Sequence, residues 1–208
     1  MSDKYDKDKW LKVCNITLSN YINIEKRLTE NKKLSDFVLV YYSVFFIINS
    51  LTALYFDCYN TKLCEYFGMI LSVVMLTYSL INSNANYSYR IDAITNAINK
   101  LKTLKRDGIV EEDIVEFKTR YDKIVDNVEF RNDLDFFRTI KSKCKELGVA
   151  WYKAFDATDN DDKKQLKNYL SEISPFFLET KIIVLWCFKT FVILLPIVVV
   201  FLCFIIKQ

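Results

Sequence analysis

The chain has 208 residues, 51% of them hydrophobic, and its 29 basic and 26 acidic residues leave a net charge of only +3. That charge is too small to indicate nucleic-acid binding. No histidine is present and the six cysteines include no C-x-x-C pair, so the residues predict neither a metal centre nor a cofactor site. Because the sequence offers no clustered nucleophile and base, we expect that the protein is not an enzyme.

Three apolar stretches dominate the chain. They occupy residues 37–56 (FVLVYYSVFFIINSLTALYF), 66–89 (beginning YFGMILSVVMLTYSLIN) and 182–206 (IIVLWCFKTFVILLPIVVVFLCFII). The first two carry no charge, and the third carries only Lys189. About 20 apolar residues cross a hydrocarbon core of roughly 30 Å, so each stretch predicts a membrane-spanning helix.

The basic residues predict how these spans are oriented. Four of them, at positions 26, 27, 32 and 33, precede the first span, and only Lys62 lies between the first and the second. Five more follow the second span, between positions 90 and 106. Because Lys and Arg are enriched on cytoplasmic flanks, we expect the N-terminus and residues 90–181 in the cytoplasm and the loop 57–65 outside.

The predicted fold is therefore an all-α membrane protein with four segments. These are a cytoplasmic amphipathic helix (1–33), a two-span hairpin (34–89), a cytoplasmic helical bundle or coiled coil (90–181) and a third span (182–206). The third segment has two interpretations: it crosses completely while Lys189 reaches back to the surface, or only residues 190–206 cross. Pro196 predicts a kink there, which is tolerated if a neighbouring helix satisfies the freed carbonyl.

Helical periodicity continues beyond the second span. Apolar residues recur three or four apart as far as Leu101, and Gly108 follows as a predicted helix C-cap. This pattern predicts one helix of about 40 residues that runs from the membrane into the cytoplasm. A second, coiled-coil-like seam follows at Ile114, Phe117, Tyr121, Ile124, Val128, Phe130, Leu134, Phe137, Cys144 and Leu147. We expect the two apolar stripes to pack against each other.

Polar residues lie on one face of the second span. Spaced seven, four, three and four apart, they are Ser72, Ser79, Ser83, Asn86 and Arg90. The first span adds Ser43, Asn49 and Ser50. Such residues let helices approach and form hydrogen bonds, which fits a packing seam; they also fit the lining of an aqueous path with Arg90 at its cytoplasmic mouth. Three spans cannot enclose a path, so a channel would be a homo-oligomer in the lipid bilayer.

Two cysteines lie in the predicted outer loop. Cys58 and Cys64 would form a disulfide if that side of the membrane is oxidising. They would remain two thiols otherwise, and both interpretations stay open.

Three segments carry a family resemblance: KKLSDFVLVYYSVFFIINSLTALYF, YFGMILSVVMLTYSLINSNANYSYRIDAITNAINKL and FKTRYDKIVDNVEFRNDLDFF. In the last of them the similar positions are Tyr121 and residues 132–136. The layout resembles the SLATT family, the SMODS- and SLOG-associating two-transmembrane effectors of bacteria. The resemblance covers roughly residues 10–150, with the third span as an addition. It implies an inner-membrane effector that permeabilises the membrane in anti-phage defence or nucleotide-linked abortive infection. It also implies a nucleotide signal or a neighbouring sensor enzyme, a nucleotidyltransferase or a reverse transcriptase, as partner.

Two hypotheses about function follow. In the first, the chain is an oligomeric pore-forming or membrane-disrupting effector with no cofactor, no metal and no direct contact with nucleic acid. In the second, it is a non-conducting anchor or scaffold whose cytoplasmic helices recruit a soluble partner.

Overall fold

The structure, a computed structural model, describes residues 2–56, 60–110, 113–149, 161–172 and 175–206. These residues form helices and no strand, which confirms the predicted all-α fold class. In chain order the helices are α1 (Ser2–Tyr55), α2 (Thr61–Asn84), α3 (Tyr87–Val110), α4 (Ile114–Val125), α5 (Asp133–Glu146), α6 (Asp161–Glu172) and α7 (Pro175–Ile205).

The chain divides into two compact units. The first, which we call the polar unit, comprises Met1–Glu30 and Tyr87–Glu179; the second, the apolar unit, comprises Asn31–Asn86 and Thr180–Gln208. By length and composition, three helical stretches are able to cross a membrane: Asp8–Tyr55, Thr61–Gly108 and Phe176–Ile205. The three long apolar helices expected from the sequence are therefore present.

A single helix, α1, joins the predicted amphipathic segment to the predicted first span. Neither glycine nor proline occurs before residue 68, so nothing in the sequence interrupts the helical hydrogen bonds. Its first part contributes to the core of the polar unit and its last part to the core of the apolar unit. The predicted 1–33 segment is thus the beginning of a longer helix.

The helix of the second span does not continue unbroken beyond the apolar stretch. Helix α2 ends at Asn84 and α3 begins at Tyr87. Between them Asn86 has a φ of 46°, in the left-handed region of backbone conformation. Asparagine is among the few residues besides glycine that adopt this conformation. The prediction of one continuous helix is therefore wrong at this point.

The polar unit is built on a core shared by α1, α3 and α4. Its buried apolar residues are Cys14, Tyr21, Ile24, Leu28, Ile94, Ala97, Ile98, Leu101, Leu104, Phe117 and Tyr121. A smaller cluster joins Ile140 and Cys144 of α5 to Leu166 of α6. The predicted packing of the two apolar stripes is confirmed for α3 and α4. Phe130, also assigned to the seam, lies in the linker between α4 and α5 and is 91% exposed, so its place in the seam was wrongly predicted.

Gly108 does not cap a helix, since α3 continues to Val110. A Cβ atom at this position would lie 2.6 Å from Cε2 of the buried Phe117 ring. The glycine therefore permits the close approach of α3 and α4, and the two apolar stripes meet where the sequence suggested a helix end.

The apolar unit packs α1, α2 and α7 around a second core. Its buried apolar residues are Val38, Tyr42, Phe45, Cys64, Leu71, Val199 and Cys203. Helix α7 runs in the same direction as α1, because Tyr42 contacts Val192 and Phe56 packs near Phe204 twelve residues later. Asn60, the N-cap of α2, donates from its backbone N–H to the Cys203 carbonyl and from Nδ2 to the Ile206 carbonyl, at 3.0 Å each. The end of α7 and the start of α2 therefore lie side by side.

Pro196 lies buried within α7 and removes one helical hydrogen bond. Because proline has no N–H, the carbonyl four residues earlier, on Val192, loses its normal partner. The hydroxyl of Tyr42 donates to this carbonyl at 2.8 Å, and Tyr41 donates to the next one, on Ile193, at 3.1 Å. Helix α1 is therefore the neighbouring helix that supplies the donor for the freed carbonyl, as the sequence led us to expect.

We expect Tyr42→Phe to lower the free energy of unfolding by about 0.6–1.7 kcal/mol, the range for polar contacts between membrane helices. The Val192 carbonyl would then lack a donor in an apolar setting. In a Pro196→Ala background residue 196 regains its N–H, so the cost of Tyr42→Phe should fall to nearly zero. Unfolding of the detergent-solubilised protein measures both steps of this double-mutant cycle.

Tyr78→Phe is the matched control. The Tyr78 hydroxyl donates to Ser35 Oγ at 2.9 Å, away from the proline. Its cost should be the same in the wild-type and Pro196→Ala backgrounds. A Tyr42→Phe cost that is likewise unchanged by Pro196→Ala would contradict the assigned role of the Tyr42 hydroxyl.

Candidate functional site

The serines predicted to form a polar face on the second span lie on one flank of α2. Ser72, Ser79 and Ser83 are all exposed in the apolar unit. At 100° per residue they lie about 100° around the helix from the stripe that faces the core, which includes Cys64 and Leu71. Ser72 donates from Oγ to its own helix, to the Met69 carbonyl at 2.8 Å. The serines therefore do not contribute to packing within the core of their own unit.

Asn86 and Arg90 are separated from this flank by the end of α2. Asn86 is exposed and holds the left-handed turn, so helical spacing no longer relates Arg90 to the serines. Arg90 belongs to the polar unit, where its Nε donates to Glu129 Oε2 at 2.6 Å. This hydrogen bond raises the pKa of Arg90. The predicted face is thus continuous only through Ser83.

The polar residues of the first span are divided between surface and core. Ser43 and Ser50 are exposed on α1, and Ser43 donates to the Leu39 carbonyl of its own helix at 2.8 Å. Asn49 is buried, and its Nδ2 lies 2.8 Å from the sulfur of Cys64 on α2. Of the three, Asn49 therefore joins α1 to α2.

The predicted disulfide falls partly outside the described residues, because Cys58 lies there. Cys64 is buried beside Asn49, within α2 rather than in the loop. Among the described residues, no group of three or more Cys, Asp or Glu side chains is placed to hold a metal ion.

A network of charges around the buried Asp135, which the sequence did not suggest, joins three helices of the polar unit. Arg27 of α1 donates from Nε to both carboxylate oxygens of Asp135 at 3.1 Å, and Asp135 is fully buried. Arg27 also contacts Glu129 Oε1 through Nη2 at 3.3 Å. Since Glu129 accepts from Arg90 as well, two arginines and two carboxylates form one chain of ion pairs. The four formal charges cancel, and the buried Asp135 has a cation beside it, as a buried carboxylate requires.

Hydrogen bonds hold the fully buried end of this network. Asp135 Oδ2 accepts from the backbone N–H of Asn132 at 3.2 Å, so the carboxylate also caps α5. Asn23 donates from Nδ2 to Thr139 Oγ1 at 2.9 Å, one turn further along α5. The spacing of Asn132 and Asp135 is typical of a helix N-terminus and could have been recognised in the sequence. The pairing with Arg27, 108 positions away, left no local signal.

A second polar contact ties α1 to α4. The hydroxyls of Thr17 and Tyr121 share a hydrogen bond of 2.7 Å, and the Tyr121 ring meets Trp10 edge-on at 5.7 Å between centroids. Burial raises the pKa of the Tyr121 hydroxyl, which keeps it neutral. The FKTRYDKIVDNVEFRNDLDFF segment therefore supplies both Tyr121 and the carboxylates that hold α1.

We expect Arg27→Met to lower the free energy of unfolding by about 3–5 kcal/mol, because it leaves the buried Asp135 carboxylate without its cation. Adding Asp135→Asn removes the uncompensated charge and keeps an oxygen to cap α5. The double variant should therefore regain most of the loss, as chemical unfolding of the full chain in detergent would show.

Arg120→Met is the matched control, since Arg120 pairs with Asp107 at 3.1 Å and both side chains are about two-fifths exposed. An exposed pair is worth about 0–1 kcal/mol. If Arg27→Met costs no more than Arg120→Met, the buried network does not stabilise the polar unit.

Comparison with known proteins places the chain in a family. A sequence model of the SMODS and SLOG-associating 2TM effector domain family 5 matches residues 4–202. No curated protein and no solved structure matched. The match extends beyond the resemblance at residues 10–150 and includes most of α7, so the third apolar helix lies within the family's own sequence. Proteins of this kind are effector domains linked to defence systems. The chain therefore belongs to the SMODS and SLOG-associating 2TM effector family 5.

Proposed function

We propose that this protein is a bacterial inner-membrane effector that assembles into a homo-oligomeric pore and depolarises the cell in an anti-phage response. The observation that carries the proposal is the exposed flank of Ser72, Ser79 and Ser83 on α2. Apart from Thr77, the other exposed residues between positions 66 and 81 of this helix are apolar or aromatic, among them Met69, Val73 and Leu80.

The position of the serine flank argues for contacts beyond a single chain. A single hydroxyl that faces lipid finds a partner only in its own helix, as Ser72 and Thr77 both do. Three hydroxyls aligned on one flank gain further hydrogen bonds where that flank meets another helix or water. The flank lies outside the core of its own unit, and we propose a second copy or an aqueous path as its neighbour. Both neighbours occur together in a ring of copies that encloses a pore.

The arrangement within the apolar unit supports complete crossing by α7. Its end lies beside Asn60, at the loop between α1 and α2. If that loop is outside, as the basic flanks indicate, the N-terminus is cytoplasmic and α7 ends outside. The polar unit would then face the cytoplasm, where a sensor enzyme or its nucleotide product could reach it. The association with SMODS and SLOG in the family's description supports such a partner.

A second candidate function is a non-conducting anchor that recruits a soluble partner. Phe130 and Val115 of the polar unit are strongly exposed, as residues at a protein–protein contact often are. An anchor would leave the membrane potential intact when the protein is overproduced, so the same experiment separates the two functions.

Inducible expression in a bacterial host, with a potential-sensitive dye read alongside growth, tests the pore. We expect depolarisation to precede the loss of viability. Ser79→Leu combined with Ser83→Leu should abolish depolarisation, because leucines would replace the hydroxyls that contact water. Membrane fractionation should show unchanged insertion of this variant.

Thr77→Leu is the matched control on the same helix. Thr77 is exposed and lies about 140° around α2 from the midpoint between Ser79 and Ser83. It should depolarise cells as the wild type does. If the Ser79/Ser83 double variant inserts and still depolarises cells fully, this flank does not line the pore. If cells that express the wild type together with the neighbouring genes stay polarised and grow, the anchor is favoured.

A further inference from the structure

The polar unit contains a cavity of about 300 Å³ between α1, α4, α6 and the linker that joins α4 to α5. This is near the lower end of the range for small-molecule sites, roughly 300–1,000 Å³. Aliphatic side chains and four aromatic rings form most of its wall; the rings are Tyr21, Tyr121, Phe130 and Tyr169. The aromatic part of the wall therefore favours a ligand with a flat ring system.

Asn20 supplies an unusual polar group in this wall. The side chain is 96% buried, and its Oδ1 has no hydrogen-bond partner within the part of the chain that the structure describes. A buried carbonyl left in this condition is costly, because it has lost water without gaining a donor. The terminal amide of asparagine rotates easily about χ2, and Asn20 lines the cavity, so such a rotation would present this oxygen to a bound molecule.

The charged groups of the wall differ in their availability. Both oxygens of Glu129 are engaged by Arg27 and Arg90, which neutralise that carboxylate. Arg131 is exposed, with its guanidinium carbon 3.8 Å from the centre of the Phe136 ring. Burial raises the pKa of Tyr21 to about 12, so this side chain adds no negative charge. Asp126 and Asp122 act on Tyr21 and Tyr121 from outside the wall. Of the charged residues that line the cavity, Arg131 is therefore the group that would pair with an anion.

We propose that this cavity binds a small planar aromatic anion that carries a ring N–H. The ring would lie among the tyrosines, its N–H would donate to Asn20 Oδ1, and its negative group would pair with Arg131. The proposal concerns the polar unit alone and does not depend on pore formation, since binding is measured directly.

Indole-3-acetate and 1-methylindole-3-acetate are suitable probes, because they differ only by the N–H. Equilibrium dialysis against the full chain in detergent, with empty micelles subtracted, should give saturable binding of indole-3-acetate. Binding should be about tenfold weaker for the methylated probe, the effect of losing one good hydrogen bond. Asn20→Leu should remove the difference between the probes. Arg131→Gln should weaken both about tenfold, whereas Arg106→Gln, an exposed arginine outside the cavity wall, should change nothing.

Thermal unfolding without a probe separates a ligand site from a structural asparagine. If Asn20 Oδ1 has no donor in the ligand-free protein, Asn20→Leu removes an unsatisfied buried oxygen and should raise the melting temperature. The same substitution should abolish the difference in affinity between the two probes. A lowered melting temperature would mean that the fold already satisfies this oxygen, and would overturn the proposal. No saturable binding of indole-3-acetate at millimolar concentration, or equal affinity for both probes, would overturn it as well. Arg131→Gln keeps the test valid if Asn20→Leu does not fold, because Arg131 is exposed.

Discussion

A backbone carbonyl inside a membrane needs a donor from the protein, because lipid offers none. Pro196 frees such a carbonyl in the middle of α7, on Val192, and the Tyr42 hydroxyl of α1 satisfies it. This one contact fixes the register of the third apolar helix against the first. It also sets the direction of α7, whose far end then reaches Asn60 at the start of α2. The apolar unit is therefore a three-helix assembly with a defined register, although the family is described by two spans.

The polar unit meets a comparable requirement with charges instead of carbonyls. Asp135 is fully buried and depends on Arg27, while Glu129 holds both Arg27 and Arg90. Glu129 lies in the linker between α4 and α5, and the same linker forms part of the wall of the cavity beside Asn20. A molecule bound there would contact the segment that holds two arginines on two different helices. The proposed binding site and the ion-pair network are thus adjacent parts of one structure.

Local sequence patterns predicted the helices and their apolar faces well. Apolar residues three and four apart identified Phe117 and Tyr121 as core residues, and a chain with only three glycines and two prolines favours long helices. The break at Asn86 escaped prediction because a left-handed asparagine carries no obligatory sequence sign. Gly108 was misassigned as a cap because a glycine that ends a helix and one that admits a neighbouring ring look the same in sequence.

Contacts between distant residues set the limit of what the sequence could reveal about the candidate site. The serine spacing on α2 was readable, since helical periodicity relates Ser72, Ser79 and Ser83 directly. The ion pairs of Arg27 and Arg90 could not be predicted in this way, since their partners Asp135 and Glu129 lie 108 and 39 positions away. The prediction of Arg90 at a pore mouth therefore did not include its hydrogen bond to Glu129.

Recording from the purified full chain in planar bilayers would test the central claim, that this effector opens a path through the membrane, most directly. We expect stepwise conductance that is lost when leucines replace Ser79 and Ser83. The absence of conductance would contradict the claim, provided that the protein is incorporated in the bilayer, its polar unit is folded and a source of the activating signal is supplied.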